Sequence, residues 1–226
     1  MVNVVPNLMV VGLHHETYWI RLAVQRVYGS IFQTQMRNSD QLSVTSALGY
    51  TEEKEVADFL YKMVSVFKFK PIQSEELGTQ LVKNLTFLLR TLISVPNDRM
   101  LHYLPKLFSR CSFVARKMML NVSEAKGRIA NVLLFFQVAF HLFESIHTTD
   151  VEEPKKDNEL SRSVLNPVLE LVYRIYTDDQ YKESRAKELA SELIDYLSTG
   201  LDKTFFISAY NEVKSGISKK RDERRK

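Results

Sequence analysis

Leu13 to Phe32, LHHETYWIRLAVQRVYGSIF, is apolar on nearly every side of a helix, and no other stretch restricts the possible folds as strongly. At about 3.6 residues per turn, Trp19, Leu22, Ala23, Val27 and Ile31 form one stripe, and Ile20, Val24, Tyr28 and Phe32 a second. Arg21, Gln25 and Gly29, each four positions from the next, leave only a narrow polar edge. Such a helix invites neighbours on two sides at once, as an interior helix of a stacked helical array has. Trp19, Leu22 and Val27 are therefore expected in the core.

The rest of the chain reads as helices in pairs. The first pair is Val4 to Leu13 and Thr17 to Gln33, joined by a His14-His15-Glu16 turn, with a polar loop near 38–50 after it. Thr51 caps the next helix, which carries Phe59, Leu60, Met63, Val64 and Phe67 and ends before Pro71. Ser74 caps its partner, striped by Leu77, Leu81, Leu85, Leu88 and Leu92. Pro105 suits the first position of a third-pair helix reaching Leu120. Its partner, opened by Ser123-Glu124, is apolar nearly all round from Ile129 to Phe143, so Phe136 is a further core residue.

A charged stretch near 148–158 reads as an exposed linker. The fourth pair spans Leu160 to Tyr176, with Asn166-Pro167 as a kink or restart, and Asp179 to Leu197, closed by Thr199-Gly200. A last helix from Asp202 loses its apolar stripe near Lys214, beyond which nothing is expected to be buried. Pairs start about fifty positions apart, close to the ~40–47 of HEAT and armadillo repeats. The expectation is an all-α fold, a HEAT/armadillo-like α-solenoid segment of about four helix pairs plus a C-terminal helix. Residues 1–213 form the helical repeat domain and 214–226 a basic helix end or tail. A compact helical bundle is the alternative.

Composition and motifs exclude several kinds of function. Seven Gly and six Pro in 226 residues are few for a fold rich in tight turns, and no apolar run is long enough for a membrane span. The lone Cys111 cannot form an internal disulfide, which suits a reduced, intracellular setting. The five histidines lack the spacing of a helical metal site, and no glycine-rich phosphate loop follows a strand. Carboxylates such as Glu52, Glu53, Glu188 and Glu192 stand where helix starts and exposed faces use them. The expectation is a protein with no catalytic residues, no metal, no cofactor, no small-molecule substrate and no membrane contact.

What remains is charge. Net charge is +4, and Lys214, Lys219, Lys220, Arg221, Arg224, Arg225 and Lys226 crowd the C-terminal end against Asp222 and Glu223. These cations suit RNA phosphates, and equally a solvated helix end favoured by the helix dipole. A second cluster, Lys106, Arg110, Arg116, Lys117, Lys126 and Arg128, surrounds a helix-to-helix turn. Tyr103, Phe108 and Phe113 interleave with it at core spacing, which favours packing over base stacking. Lys219, Lys220, Arg221, Arg224 and Arg225 are the first candidates for RNA contact, with Arg116, Lys117, Lys126 and Arg128 second.

Trp19-Ile20-Arg21-Leu22-Ala23, followed by Arg26-Val27-Tyr28-Gly29 and Phe32, resembles the Trp-Val-Arg-Leu-Ala and Gly-Leu-Leu-Phe signature of a family of very large HEAT-repeat proteins. These are the U-three small nucleolar RNA-associated, "down-regulated in metastasis" components of the small-subunit processome. Glu76 to Leu85 is similar to the family's Gly-Glu-Gln-Val-Val-Lys-Asn-Leu, and Ala209 to Lys226 to its final helix running into basic sequence. The resemblance implies a C-terminal scaffold segment in early small-subunit assembly, in the nucleolus of the nucleus. Its implied partners are pre-ribosomal RNA, U-three small nucleolar RNA and processome proteins. On residues alone, a protein-only helical-repeat adaptor for partner helices or peptides is the alternative.

Overall fold

The computed structural model describes residues 11–38, 53–68, 76–94, 103–147 and 157–223. Among the described residues the chain forms eight α-helices and no strand. They are α1 (Tyr18–Asn38), α2 (Glu53–Ser65), α3 (Glu76–Ser94), α4 (Tyr103–Met118), α5 (Val122–His147), α6 (Asp157–Thr177), α7 (Arg185–Gly200) and α8 (Lys203–Glu223). Short 3-10 turns at Val66–Lys68, Met119–Asn121 and Asp179–Tyr181 link neighbours.

Each helix packs chiefly on the second one along. α1 meets α3, α3 meets α5 and α5 meets α7, while α2 meets α4, α4 meets α6 and α6 meets α8. Contacts of α2 with α3, α4 with α5, and α6 with α7 join these two rows. One continuous apolar core runs between them from Leu13 to Ala209. α5 is buried deep in it: Ile129, Leu133, Phe135, Phe136 and Ala139 are inaccessible, and the Phe136 ring stacks on Phe108 of α4 with centroids 5.4 Å apart. A helix apolar all round has found neighbours in both rows.

α1 turns out differently from its expected orientation. Leu22 is 1% exposed and in the core, but Trp19 is 62% and Val27 48% exposed, so neither is a core residue. The supposed polar edge is the face that packs. Arg21 and Gln25 are buried, and Arg21 Nη1 donates to the carbonyls of His15 (2.5 Å) and Glu16 (2.7 Å), tying the entering turn to the helix. Asn84 Nδ2 of α3 donates to Gln25 Oε1 (2.7 Å) and Gln25 O (2.9 Å). Beside them a Cβ on Gly29 would lie 2.5 Å from Gln80 Nε2 and 3.2 Å from Asn84 Oδ1, so a larger residue there would push the Gln80 side chain aside. Polar residues that pair across a helix contact bury as readily as apolar ones.

Helix boundaries also shift. Asp179 does not start a long helix: Ser184 intervenes, its Oγ accepting from Lys187 N, with Glu183 at φ 60° in the turn before α7. A serine that can cap competes with helix continuation through it. Pro167 neither ends nor restarts α6, which is one helix from Asp157 to Thr177; Ser112 Oγ of α4 donates to the Pro167 carbonyl at 2.7 Å. Asp202 caps α8, accepting from Phe205 N at 2.8 Å. The expected Val4–Leu13 helix, the loop near 38–50, the Thr51 and Ser74 caps and the linker near 148–158 fall largely outside the described residues.

Candidate nucleic-acid interface

The second row brings three distant segments together. α4 ends in Arg116 and Lys117, in the last turn where the helix dipole favours cations. α6 packs between α4 and α8 and carries Arg174 in its own last turn. α8 lies on α6 through buried Phe206 and Ala209 and the edge-on pair Tyr173–Tyr210, centroids 5.7 Å apart. It stays helical to Glu223, so the apolar stripe does not run out at Lys214: Ile217, one turn further on, is half-buried.

Between the three helices lies a groove of about 730 Å³. Four cations line it, Arg116 and Lys117 from α4, Arg174 from α6 and Lys220 from α8. Tyr173, Ile217 and Met119 supply apolar surface, and Phe113 and Leu120 stand at the rim, 42% and 84% exposed. Asp178 is the one carboxylate on the lining, and its Oδ1 accepts from Gln180 N at 3.0 Å.

Glu170 organises the basic wall from beneath. Its Oε1 accepts from Arg116 Nη1 at 2.8 Å and from Arg174 Nη2 at 2.9 Å, so one carboxylate fixes two guanidinium groups. Burial pushes the Glu170 carboxyl up, but the Arg174 hydrogen bond and the positive charges of Arg116, Arg174 and Lys220 outweigh it and hold the group below the usual carboxylate value. Arg116 spends one N–H on Glu170 and Arg174 two, its Nε donating to Oε1 at 3.3 Å as well, so each guanidinium keeps further N–H groups. Lys117 Nζ and the Arg110 guanidinium stand 5.6 and 5.5 Å from the centroid of the exposed Phe113 ring.

The candidate RNA residues from the sequence divide unequally. Arg116, Lys117 and Lys220 meet at the groove although more than a hundred positions separate the first two from the third. Lys219 is exposed on α8 outside the lining, Arg221 lies in α8, and Arg224 and Arg225 are outside the described residues. Lys126 and Arg128 sit near the start of α5 and are not on the groove lining; Arg128 donates to the Lys68 carbonyl. The aromatics also divide: Phe108 is packed as expected, whereas Phe113 is exposed, contrary to its core spacing. Arg174 and Tyr173 were missed. Glu170 and Arg174 at i,i+4 signal a pair, but only the α4–α6 contact shows that it faces Arg116.

Elsewhere, burial pushes the Cys111 thiol well above its ordinary value, which leaves it inert. Among the described residues no three His, Cys, Asp or Glu side chains gather as a metal site. No described helix is long and apolar enough to cross a membrane.

Fold and groove together define a class: an all-α protein of two helix rows presenting a basic, aromatic-rimmed groove. Along 214 aligned residues, 92% of this chain, the sequence is 27% identical to U3 small nucleolar RNA-associated protein 20 of Schizosaccharomyces pombe (strain 972 / ATCC 24843). The chain spans only 8% of that protein's length. It matches no family model and no solved structure.

Proposed function

We propose that this chain is a scaffold segment of early small-subunit ribosome assembly, a HEAT-like stretch of α-solenoid that holds pre-ribosomal RNA, U3 small nucleolar RNA and assembly proteins in place. It works in the nucleolus and catalyses nothing itself. The observation that carries this reading is the similarity to the U3-associated protein along nearly the whole helical array rather than at one motif. The two rows, in which every helix leans on the second one along, support it, because stacking of that kind extends without limit and offers long surfaces for many weak contacts.

The test is crosslinking of the tagged, full-length protein in cells, followed by sequencing of the bound RNA. Pre-ribosomal and U3 RNA should be enriched, and their absence would remove the ribosomal reading. A protein-only adaptor is the second reading, favoured by one observation: Trp19, Ile20 and Val27 leave an exposed apolar stripe on α1. Partner proteins recovered without RNA would support it.

A further inference from the structure

We propose that the α4–α6–α8 groove takes an unpaired RNA strand, its phosphates on Arg116, Arg174 and Lys220 and a base stacked on Phe113. The inference rests on the RNA-binding reading above and names which form of RNA this site takes.

Charge complementarity selects a polyanion. Four lining cations face a single lining carboxylate, and Glu170 beneath is already shared between two arginines. The wall is built rather than incidental: the shared carboxylate fixes Arg116 and Arg174 from different helices at one place. Lys220 completes it from a third helix, near enough for its charge to act on Glu170.

Shape and polarity then separate a single strand from a duplex. A duplex offers convex rows of phosphates and hides the faces of its bases, so it would leave the apolar side of this groove unused. An unpaired strand offers phosphate and base face together, the pairing that single-strand grooves meet with cations and exposed aromatic rings. Phe113 is 42% and Leu120 84% exposed beside the cations, apolar surface that the fold leaves uncovered. Lys117 Nζ and the Arg110 guanidinium stand over the Phe113 ring in solvent, and a stacked base competes with them for the same ring face. A base on the ring takes the place of the Lys117 contact, and Lys117, which lines the groove, turns to the phosphates.

Fluorescence anisotropy with a labelled oligouridine strand and a blunt RNA duplex of equal length tests this on the whole chain. The strand should bind at least about tenfold more tightly than the duplex. Phe113→Ala should weaken it by about 5- to 150-fold, the range of a lost stack, with unfolding temperature checked alongside. Leu120→Glu provides a second variant at a position with no packing to lose, and should also weaken the strand. Lys220→Gln should lower the slope of log affinity against log salt by about 0.7, one single-strand phosphate contact. Equal binding of strand and duplex, with Phe113→Ala silent and Lys220→Gln weakening both, would overturn the single-strand inference and leave RNA binding intact. Failure to bind either RNA even at low salt would overturn both. Displacement of the strand by oligoglutamate at equal concentration would reassign the groove to an acidic peptide.

Discussion

Asn84→Ala should destabilise the fold well beyond what the size of the side chain suggests. Asn84 Nδ2 donates to Gln25 Oε1 at 2.7 Å, both residues lie buried between α1 and α3, and Gln25 Nε2 already has no partner. Alanine at position 84 leaves the whole Gln25 side-chain amide without a hydrogen bond in a site closed to water. An orphaned buried acceptor costs roughly 1–3 kcal/mol, and the small cavity adds to that. For a chain of this length each kcal/mol moves the unfolding temperature by about 2–4 °C, so a loss of about 3–10 °C is expected. The shape-conserving pair Gln25→Met/Asn84→Leu removes donor and acceptor together and should recover most of that loss. Thermal unfolding followed by circular dichroism on the parent, Gln25→Met, Asn84→Leu and the double variant measures the coupling. A drop under about 1 °C for Asn84→Ala, or a double variant equal to the sum of its parts, would refute the account of the α1–α3 seam.

The orientation of α1 predicts a contrast: Leu22→Ala should cost about 2–5 kcal/mol and Trp19→Ala under about 1 kcal/mol in urea unfolding, and equal losses would put Trp19 back in the core. Gly216→Ala, with nothing within 4 Å of the new Cβ, should stabilise α8 by roughly 0.5–1 kcal/mol. Gly78→Ala should gain nothing or lose, since its Cβ would come within 2.1 Å of Asn131 Nδ2; calorimetry that finds the same sign for both would contradict the close α3–α5 approach. Glu170, held below its ordinary value, stabilises the fold above the unfolded-state carboxyl value of about 4.3 and loses that contribution as pH falls through the folded value. Glu170→Gln should therefore unfold below the parent temperature at neutral pH and converge with it in acid, and a gap constant with pH would exclude the ion-pair explanation.

Helix existence was legible because apolar periodicity and capping residues are local signals. The α3 leucines, the start of the last helix near Asp202 and the buried Phe136 followed from them directly. The facing of α1 was not, because hydrophobicity alone ranks Trp19 and Val27 above Gln25 for burial. That order reverses only when Asn84, 59 positions away, supplies the partner for Gln25. Likewise Ser184 reads as an ordinary helix residue until its hydroxyl caps α7 and Glu183 turns the chain ahead of it. Phe113 and Phe108 have the same local spacing, yet one lies between rows and the other at a rim, a distinction set by which helices come to cover them.

The groove shows why a basic tail and a basic turn, read separately, said less than their combination. Lys220 alone is a cation on a helix end, and Arg116 alone is half of an ion pair; neither distinguishes a binding site from a solvated surface. Row stacking changes this by geometry. Because α6 packs on both α4 and α8, the end of α4 and the last turns of α8 face each other across α6, and Glu170 of α6 stands where it can fix the arginine of one and feel the lysine of the other. The cations are therefore positioned by the apolar contacts of Phe206, Ala209 and Tyr210 as much as by their own charge. Where successive helices of one row end on the same side, their cations gather into one basic patch, and its strength depends on how firmly the row holds them in register.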